Sequence, residues 1–320
     1  MASPSSSPSP SSLSMLLPCL RSWLSSTPSA LSSLLLCSSF NQMSRDLSLD
    51  DILHSVPLDH MAFRTLSITG GVAPVIAFLE SLGFTQTHET LTFASKHVAA
   101  TWLRPPNFTN GNGNGGGGGG TLYYPRIFVS ELNVSALPPQ AAEALVRVVS
   151  GGSGQVPVLT AEMAGRCICE GLRPWPYPTK ADYDAILAHS DYGAWTAAHA
   201  LNLNHAAVAI HRLAREFSNA SKLADALKLQ HVTLSEAGGI IKTSPDGLLL
   251  QFATQADAVE VPFADGTAAV SGAYIEFAER RPLPGFRHIP SGTWDEYSHL
   301  RDGFETGSAD RIFEATQAKA

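Results

Sequence analysis

Three segments with the composition of buried β-strands each contain one polar residue where an aliphatic side chain is expected. The residues are His60 in LDHMAFRTL, His205 in LNLNHAAVAI and Glu276 in GAYIEFAER. An alanine stands two positions after each of them, on the same strand face, and leaves space in front of the polar group. These alanines are Ala62, Ala207 and Ala278. Because the segments lie far apart in the chain, the three polar residues meet only if the fold brings three strands together.

Two imidazoles and one carboxylate are the ligand set of the facial triad, which binds ferrous iron and leaves coordination positions open. In the first segment Arg64 follows His60 by four residues, on the same face and ~13 Å further along the strand. A metal at one end and a guanidinium at the other would suit a small dicarboxylate.

The same residues also have plain structural explanations. A strand histidine often lies hydrogen-bonded in a core or at the surface, and Glu276 could form a surface ion pair with Arg280 or Arg281. Other residues compete for the ligand roles, and His231 in LQHVTLSE is the strongest competitor because its sequence is also strand-like. The remaining competitors are His211 and Glu279.

The order of predicted elements describes two similar halves. The first half, about residues 55–135, reads as a strand, a helix ending near Gly83 and further strands. A largely helical insertion follows at about 136–198. The second half, about 199–285, repeats strand, helix and strands, with a hairpin turning at residues 244–247. The pattern predicts an α+β fold, and residues 286–320 form a C-terminal segment.

Composition excludes several classes of function. The 320 residues carry a net charge of −7, and no run of Lys and Arg indicates a nucleic-acid surface. No apolar stretch reaches the eighteen or so residues that span a bilayer. Four cysteines without a CxxC pair predict a reducing compartment and no disulfide framework. No feature specifies an oligomeric state.

The N-terminal residues 1–44 differ from the rest of the chain. They are rich in Ser, Leu and Pro, and Arg21 is their only charged residue. This composition predicts a disordered organelle transit peptide ahead of a single catalytic domain at 45–320. The plastid is the favoured destination, with the mitochondrion as an alternative, or the cytosol for a product starting at Met43. A second low-complexity segment at 110–120 contains a chance GxGxxG match without the surrounding βαβ unit.

Several motifs together resemble the 2-oxoadipate dioxygenase/decarboxylase family, a former domain-of-unknown-function family similar to vicinal-oxygen-chelate enzymes. The resemblance covers roughly residues 50–318 and includes plant-type members. It implies two βαβββ modules that form a central mixed sheet or half-barrel around a metal. The motifs are DHMAFRT, YGAWTAAHALNLNHAAVAI, DGLLLQFATQAD, GAYIEFAERRP and GFETGSADRIFEAT.

Carried over residue by residue, the resemblance implies that His60, His205 and Glu276 bind Fe(II) and that Arg64 binds a substrate carboxylate. Gln251 in LLLQFAT is a further candidate for the substrate pocket, although a structural amide would explain it equally well. The implied reaction converts 2-oxoadipate and dioxygen to 2-hydroxyglutarate and carbon dioxide, a step of lysine degradation. Alternatives are a metal-dependent isomerase or lyase of glyoxalase type and a non-catalytic plastid regulatory or binding module.

Overall fold

A nine-stranded mixed sheet organises the computed structural model, which describes residues 16, 18–20, 22, 56–106, 125–291, 293–307 and 315. Eight strands follow the order β2-β4-β5-β1-β6-β11-β8-β7, and β3 pairs with the outer side of this sheet through β4. The strands of the sheet are β1 (Leu58–Leu66), β2 (Thr85–Gln86), β3 (Leu91–Phe93), β4 (Val98–Arg104), β5 (Arg126–Leu132), β6 (Leu203–Ala209), β7 (Lys242–Thr243), β8 (Leu249–Ala253) and β11 (Tyr274–Arg280).

The sheet order has an internal symmetry. In the first half β1 lies parallel to β5, and β4 and β2 continue outward in antiparallel fashion. In the second half β6 lies parallel to β11, and β8 and β7 continue outward in the same way. The two halves join through the antiparallel pair β1–β6. This arrangement is the pair of βαβββ modules implied by the family resemblance, and the predicted α+β class is confirmed.

Helices cover the sheet and form the insertion between the modules. One helix belongs to each module, α1 to the first and α6 to the second, and four helices follow one another between β5 and β6 as the helical stretch of the sequence predicts. The α-helices are α1 (Ala73–Ser81), α2 (Pro139–Ser150), α3 (Ala161–Glu170), α4 (Lys180–Leu187), α5 (Asp191–His199) and α6 (Ala220–Leu229). Among the described residues, no helix is long and apolar enough to span a bilayer.

The central strand β1 is buried on both faces. Met61 and Phe63 have no exposed surface on one side, while His60 and Arg64 are 1 % and 2 % exposed on the other. We call the side that carries His60 and Arg64 the site face of the sheet. The alternative that His60 lies at the surface is therefore wrong, because the polar side of β1 is as enclosed as its apolar side.

Two local expectations differ from the structure. His231 does not lie in a strand: it is exposed in the turn after α6 and has a positive φ of 61°. A separate hairpin, β9 (Ala258–Phe263) and β10 (Gly266–Ser271), had not been predicted. Its turn has two residues, Ala264 and Asp265, and Phe263 pairs with Gly266 across it. The predicted turn at 244–247 is present, and Gly247 donates its backbone N–H to the Ser244 carbonyl over 2.8 Å.

Part of the predicted leader packs on the domain. Leu16, Cys19 and Leu20 are buried and belong to the main hydrophobic core. These three side chains pack with apolar residues of the domain. The other residues of 1–44 and the low-complexity segment at 110–120 lie outside the described part of the chain.

Candidate metal centre

The three predicted metal ligands lie side by side on the site face. Their candidate ligand atoms fall within 4.8 Å of one another, and all three residues are buried. Glu276 Oε2 lies 3.5 Å from His60 Nε2 and 3.4 Å from His205 Nε2. The register explains the clustering, because His60 and Glu276 both pair with Ala207 from opposite sides of β6. The alanine separates them without filling the space between their side chains.

Each histidine is held by the residue that precedes it. His60 Nδ1 lies 2.8 Å from Asp59 Oδ1, and His205 Nδ1 lies 2.9 Å from Asn204 Oδ1. Because both partners present an acceptor oxygen, each Nδ1 carries the proton and donates it. Each Nε2 therefore faces the space beside Glu276, which is the orientation that a metal ligand requires.

Two β-bulges bring these supporting residues to the correct side. Neighbouring strand residues normally point to opposite faces. In the β1–β6 pair the register advances by two residues on β1, from Leu58 to His60, while it advances by one residue on β6. Asp59 is therefore the extra residue. A second shift makes Asn204 the extra residue of β6. An unpaired bulge residue bends its strand, so that it can reach the side chain of its neighbour.

The two imidazoles differ in their proton affinity. Burial alone would lower the pKa of His60, but the Glu276 carboxylate and Asp59 raise it to about 8. Burial, together with the positive charges of His60 and Arg64, holds the pKa of His205 well below its usual value. Metal binding here would require the Nε2 proton of His60 to leave, whereas the lowered pKa keeps His205 neutral. This donor set fits a divalent transition metal.

Gln251 supports the carboxylate of the group. Its Nε2 donates to Glu276 Oε1 over 2.6 Å, while Oε2 of the same carboxylate faces the histidines. The amide thus ties one oxygen and leaves the other for a metal. Gln251 Oε1 is buried and has no hydrogen-bond partner among the described residues. The structure places Gln251 beside the candidate ligands, in contact with Glu276.

Arg64 lies against an aromatic wall from the helical insertion. Its guanidinium carbon is 4.8 Å from the ring centre of Tyr192 and 5.2 Å from that of Trp195, both on α5. Trp195 is fixed by a 2.9 Å hydrogen bond from Nε1 to the Gly272 carbonyl. Arg173 donates to carbonyls at the C-terminal end of α5 and so satisfies a helix end. The helical insertion therefore positions the guanidinium of Arg64, which belongs to β1.

A buried ion network surrounds the first histidine. Asp59 accepts from Arg280 Nε over 2.6 Å and from Arg280 Nη2 over 2.9 Å. Burial would raise the pKa of Asp59, but Arg280, the hydrogen bond from His60 and the charge of Arg126 hold it well below its usual value. The carboxylate is therefore anionic and acts as an acceptor only. Sequence reasoning assigned no role to Asp59, Asn204 or Arg126.

Two aromatic rings enclose the histidines. Tyr274 stacks on His205 at a ring-centre distance of 4.6 Å, and Phe304 of the C-terminal segment meets His60 edge-on at 4.9 Å. Phe304 also contacts Phe128 at 4.9 Å. These apolar contacts exclude water and lower the local dielectric around the ligand atoms.

The competing ligand candidates lie elsewhere. His211 is buried, but its Nε2 donates to Glu296 over 3.0 Å and its Nδ1 accepts from the Arg280 backbone N–H. Glu279 faces away from the site, where it accepts from the backbone N–H of Ala220 and from Arg281. Together with the exposed turn position of His231, these contacts leave His60, His205 and Glu276 as the single candidate metal group in the part of the chain that the structure describes.

A sheet built from two βαβββ modules is the architecture of the vicinal-oxygen-chelate folds. A solved glyoxalase-superfamily protein from Ralstonia eutropha shares this fold, with a TM-score of 0.62 and 21 % identity over 84 % of this chain and 82 % of that one.

The chain belongs to the 2-oxoadipate dioxygenase/decarboxylase family, whose model matches residues 38–289. It is 37 % identical over 261 residues to the chloroplastic/amyloplastic 2-oxoadipate dioxygenase/decarboxylase of Oryza sativa subsp. japonica, covering 81 % of this chain and 68 % of the relative. The crystal structure of the Oryza sativa hydroxyglutarate synthase in complex with 2-oxoadipate has a TM-score of 0.81 and 32 % identity, and covers 99 % of this chain and 97 % of that one.

Proposed function

We propose that this protein converts 2-oxoadipate and dioxygen to 2-hydroxyglutarate and carbon dioxide. In this proposal His60, His205 and Glu276 hold Fe(II), and Arg64 binds the distal carboxylate of the substrate. The observation that carries the proposal is the buried His60–His205–Glu276 group, which shares one sheet face with a buried guanidinium. Membership of the family supports the reaction, and a rice family member solved with 2-oxoadipate supports the substrate.

The choice of iron follows from the donor types and the chemistry. Two imidazoles and one carboxylate leave coordination positions open, and bound Fe(II) would supply the electron transfer to dioxygen on which oxidative decarboxylation depends. The protein contributes fixed ligands. Asp59 and Asn204 hold the imidazole tautomers, and Gln251 restrains one Glu276 oxygen. Pre-oriented ligands reduce the reorganisation that metal binding requires.

Arg64 would select a dicarboxylate. A guanidinium pairs with a carboxylate through two parallel hydrogen bonds, and burial strengthens the pair. The rings of Tyr192 and Trp195 restrict the guanidinium to one region of the site. Its position four residues beyond His60 on the same face separates the two ends of the substrate. The 2-oxo acid end would lie at the metal and the distal carboxylate at Arg64.

The direct test is oxygen uptake by the anaerobically Fe(II)-loaded protein with and without 2-oxoadipate. Carbon dioxide and 2-hydroxyglutarate are assayed in the same vessel. His205→Gln removes a ligand, and His231→Gln is the matched control because His231 is exposed. We expect uptake coupled to both products in the wild type and the control, and near-background uptake with little bound iron in His205→Gln.

Two results would overturn the proposal. Absence of uptake with 2-oxoadipate and other 2-oxo acids, despite one iron per chain, would favour a redox-inert isomerase or lyase on the same scaffold. Uptake that His205→Gln leaves intact would place the reaction at another site.

We also propose a plastid location and a role in lysine degradation. The rice relative is described as chloroplastic/amyloplastic, and residues 1–44 have the composition of a transit peptide. The burial of Leu16, Cys19 and Leu20 makes the cleavage position the informative measurement. N-terminal sequencing of the protein from isolated plastids would test the boundary at residue 44. A mature terminus before Leu16 would contradict that boundary and retain the packed segment.

A further inference from the structure

A closed circuit of contacts links the first histidine to the C-terminal segment. His60 Nδ1 donates to Asp59, and Asp59 accepts two hydrogen bonds from Arg280. The third nitrogen of that guanidinium, Nη1, donates to the Gly303 carbonyl over 2.8 Å. The next residue, Phe304, returns to the start of the circuit, since its ring centre lies 4.9 Å from that of His60.

The Arg280 guanidinium divides its donors between one carboxylate and two backbone carbonyls. Nε and Nη2 address the carboxylate of Asp59, while Nη1 donates to the carbonyls of Arg301 and Gly303. A planar fork makes this possible, because its donors point in fixed and different directions. A lysine ammonium is a single point charge on a flexible stem, and it could not hold the carboxylate and both carbonyls in the same way.

The burial of the Arg280–Asp59 ion pair indicates that its main effect is not a gain in net stability. Arg280 and Asp59 are each 1 % exposed. A buried ion pair gains little net stability, because both charges lose their hydration. The same space filled with apolar side chains would serve a core at least as well. The ion pair has an effect that apolar side chains would not have. The Arg280 side chain fixes Asp59, the partner of His60, and it also fixes the chain segment that covers His60.

We propose that Arg280 is a positioning residue of the metal centre. It orients His60 through Asp59, and it holds residues 301–304 so that Phe304 closes the site beside the same imidazole. The orientation of the ligand and the closure of the site are thereby coupled through one guanidinium. The inference rests on the proposed function only in taking His60 as a metal ligand, and Arg280 acts on His60 through Asp59.

The neighbouring residue supplies a matched control. Arg281 points to the opposite side, where its Nε donates to Glu279 over 2.8 Å and its side chain is 41 % exposed. It has the same chemistry and nearly the same chain position, but no contact with Asp59 or Phe304. A general effect of removing a cation from this strand would appear in Arg281→Gln as well.

The experiment compares Arg280→Lys with Arg281→Gln in metal-depleted full-length protein, without substrate or dioxygen. The first readout is Co(II) affinity by titration, with the Co(II) absorption spectrum. The second is amide hydrogen exchange of peptides covering residues 300–307. We expect Arg280→Lys to weaken Co(II) binding about 10- to 100-fold. Exchange at residues 301–304 should rise at least about fivefold. Arg281→Gln should match the wild type in both.

Wild-type Co(II) affinity in folded Arg280→Lys, or unchanged exchange at residues 301–304, would overturn the proposal. If Arg280→Lys fails to fold, Phe304→Leu tests the circuit from its other end with little loss of apolar volume. We then expect an altered Co(II) spectrum and weaker Co(II) binding, and a wild-type spectrum and affinity would overturn the proposal. Because neither readout uses turnover, a failure of 2-oxoadipate oxidation would bear on the proposed function alone.

Discussion

Asp59 and Asn204 occupy equivalent places on the two central strands. Each is the extra residue of a β-bulge, and each accepts a hydrogen bond from Nδ1 of the histidine that follows it. The pseudo-symmetry of the two modules thus extends from the sheet order to the residues that support the candidate metal ligands. The symmetry is broken in charge, since Asp59 is a carboxylate paired with Arg280 whereas Asn204 is a neutral amide.

The first prediction concerns the amide. Asn204→Ala removes the acceptor for His205 Nδ1, so that the imidazole can rotate or change tautomer. Loss of such a supporting contact should weaken metal binding about 10- to 100-fold. Asn204→Asp keeps an acceptor oxygen at the same place and should retain most of the affinity. Co(II) titration of the metal-depleted proteins measures both changes.

Asn202→Ala is the control for this prediction, because Asn202 lies two residues upstream and is exposed. It should bind Co(II) as the wild type does. Equal losses in Asn204→Ala and Asn204→Asp would show that the acceptor is not what matters at this position.

Much of the fold was predictable from local pattern. The alternation in LDHMAFRTL identifies β1 and its two faces, and the turn at 244–247 has a strong sequence signal. Neither feature depends on distant parts of the chain. The order of strands and helices was sufficient to predict two similar α+β halves, and family motifs supplied the names of the ligands.

The supporting residues were not predictable for a physical reason. Alternation places Asp59 and His60 on opposite faces, and only a bulge between β1 and β6 brings them together. A bulge depends on how two strands pair, so the sequence of a single strand does not reveal it. Phe304 contacts His60 although the two residues are more than two hundred positions apart in the sequence. The strand predicted around His231 does not form, because the chain turns after α6 and His231 has a positive φ.

The second prediction tests the charge that selects the substrate. Arg64→Ala should raise KM for 2-oxoadipate strongly, because it removes the partner of the distal carboxylate. Loss of about 2–5 kcal/mol corresponds to roughly 30-fold to several thousand-fold in kcat/KM. With 2-oxohexanoate, which has a methyl group in place of that carboxylate, the same substitution should change kcat/KM little. Steady-state oxygen uptake with both substrates gives the comparison.

Arg147→Ala is the control, since Arg147 is half exposed and paired with Asp182 in the helical insertion. It should leave both substrates unaffected. A similar loss for 2-oxoadipate and 2-oxohexanoate in Arg64→Ala would contradict the assigned role.

The third prediction concerns the aromatic wall. Trp195→Leu removes one of the two rings beside Arg64, at 5.2 Å from the guanidinium carbon. A cation–π contact in a desolvated site contributes about 0.5–2 kcal/mol, so kcat/KM for 2-oxoadipate should fall roughly 2- to 30-fold. The effect should nearly vanish when Arg64 is already alanine, because the ring acts through that cation. A double-mutant cycle on kcat/KM measures the coupling.

Tyr177→Leu serves as the control for this cycle. Tyr177 also contacts a guanidinium, that of Arg173 at 4.0 Å, but it is 40 % exposed. It should have little effect on kcat/KM. Additive losses from Trp195→Leu and Arg64→Ala would indicate that the ring acts independently of the cation.

The fourth prediction separates two roles for Gln251. Its 2.6 Å hydrogen bond to Glu276 Oε1 favours support of the candidate ligand carboxylate, whereas the sequence left a substrate-pocket role and a structural amide equally open. If the amide supports Glu276, Gln251→Leu should weaken Co(II) binding about tenfold or more and leave KM for 2-oxoadipate nearly unchanged in the fully iron-loaded enzyme. A substrate contact would give the opposite pattern, a raised KM with wild-type Co(II) affinity. Gln230→Leu, at an exposed position after α6, should change neither quantity.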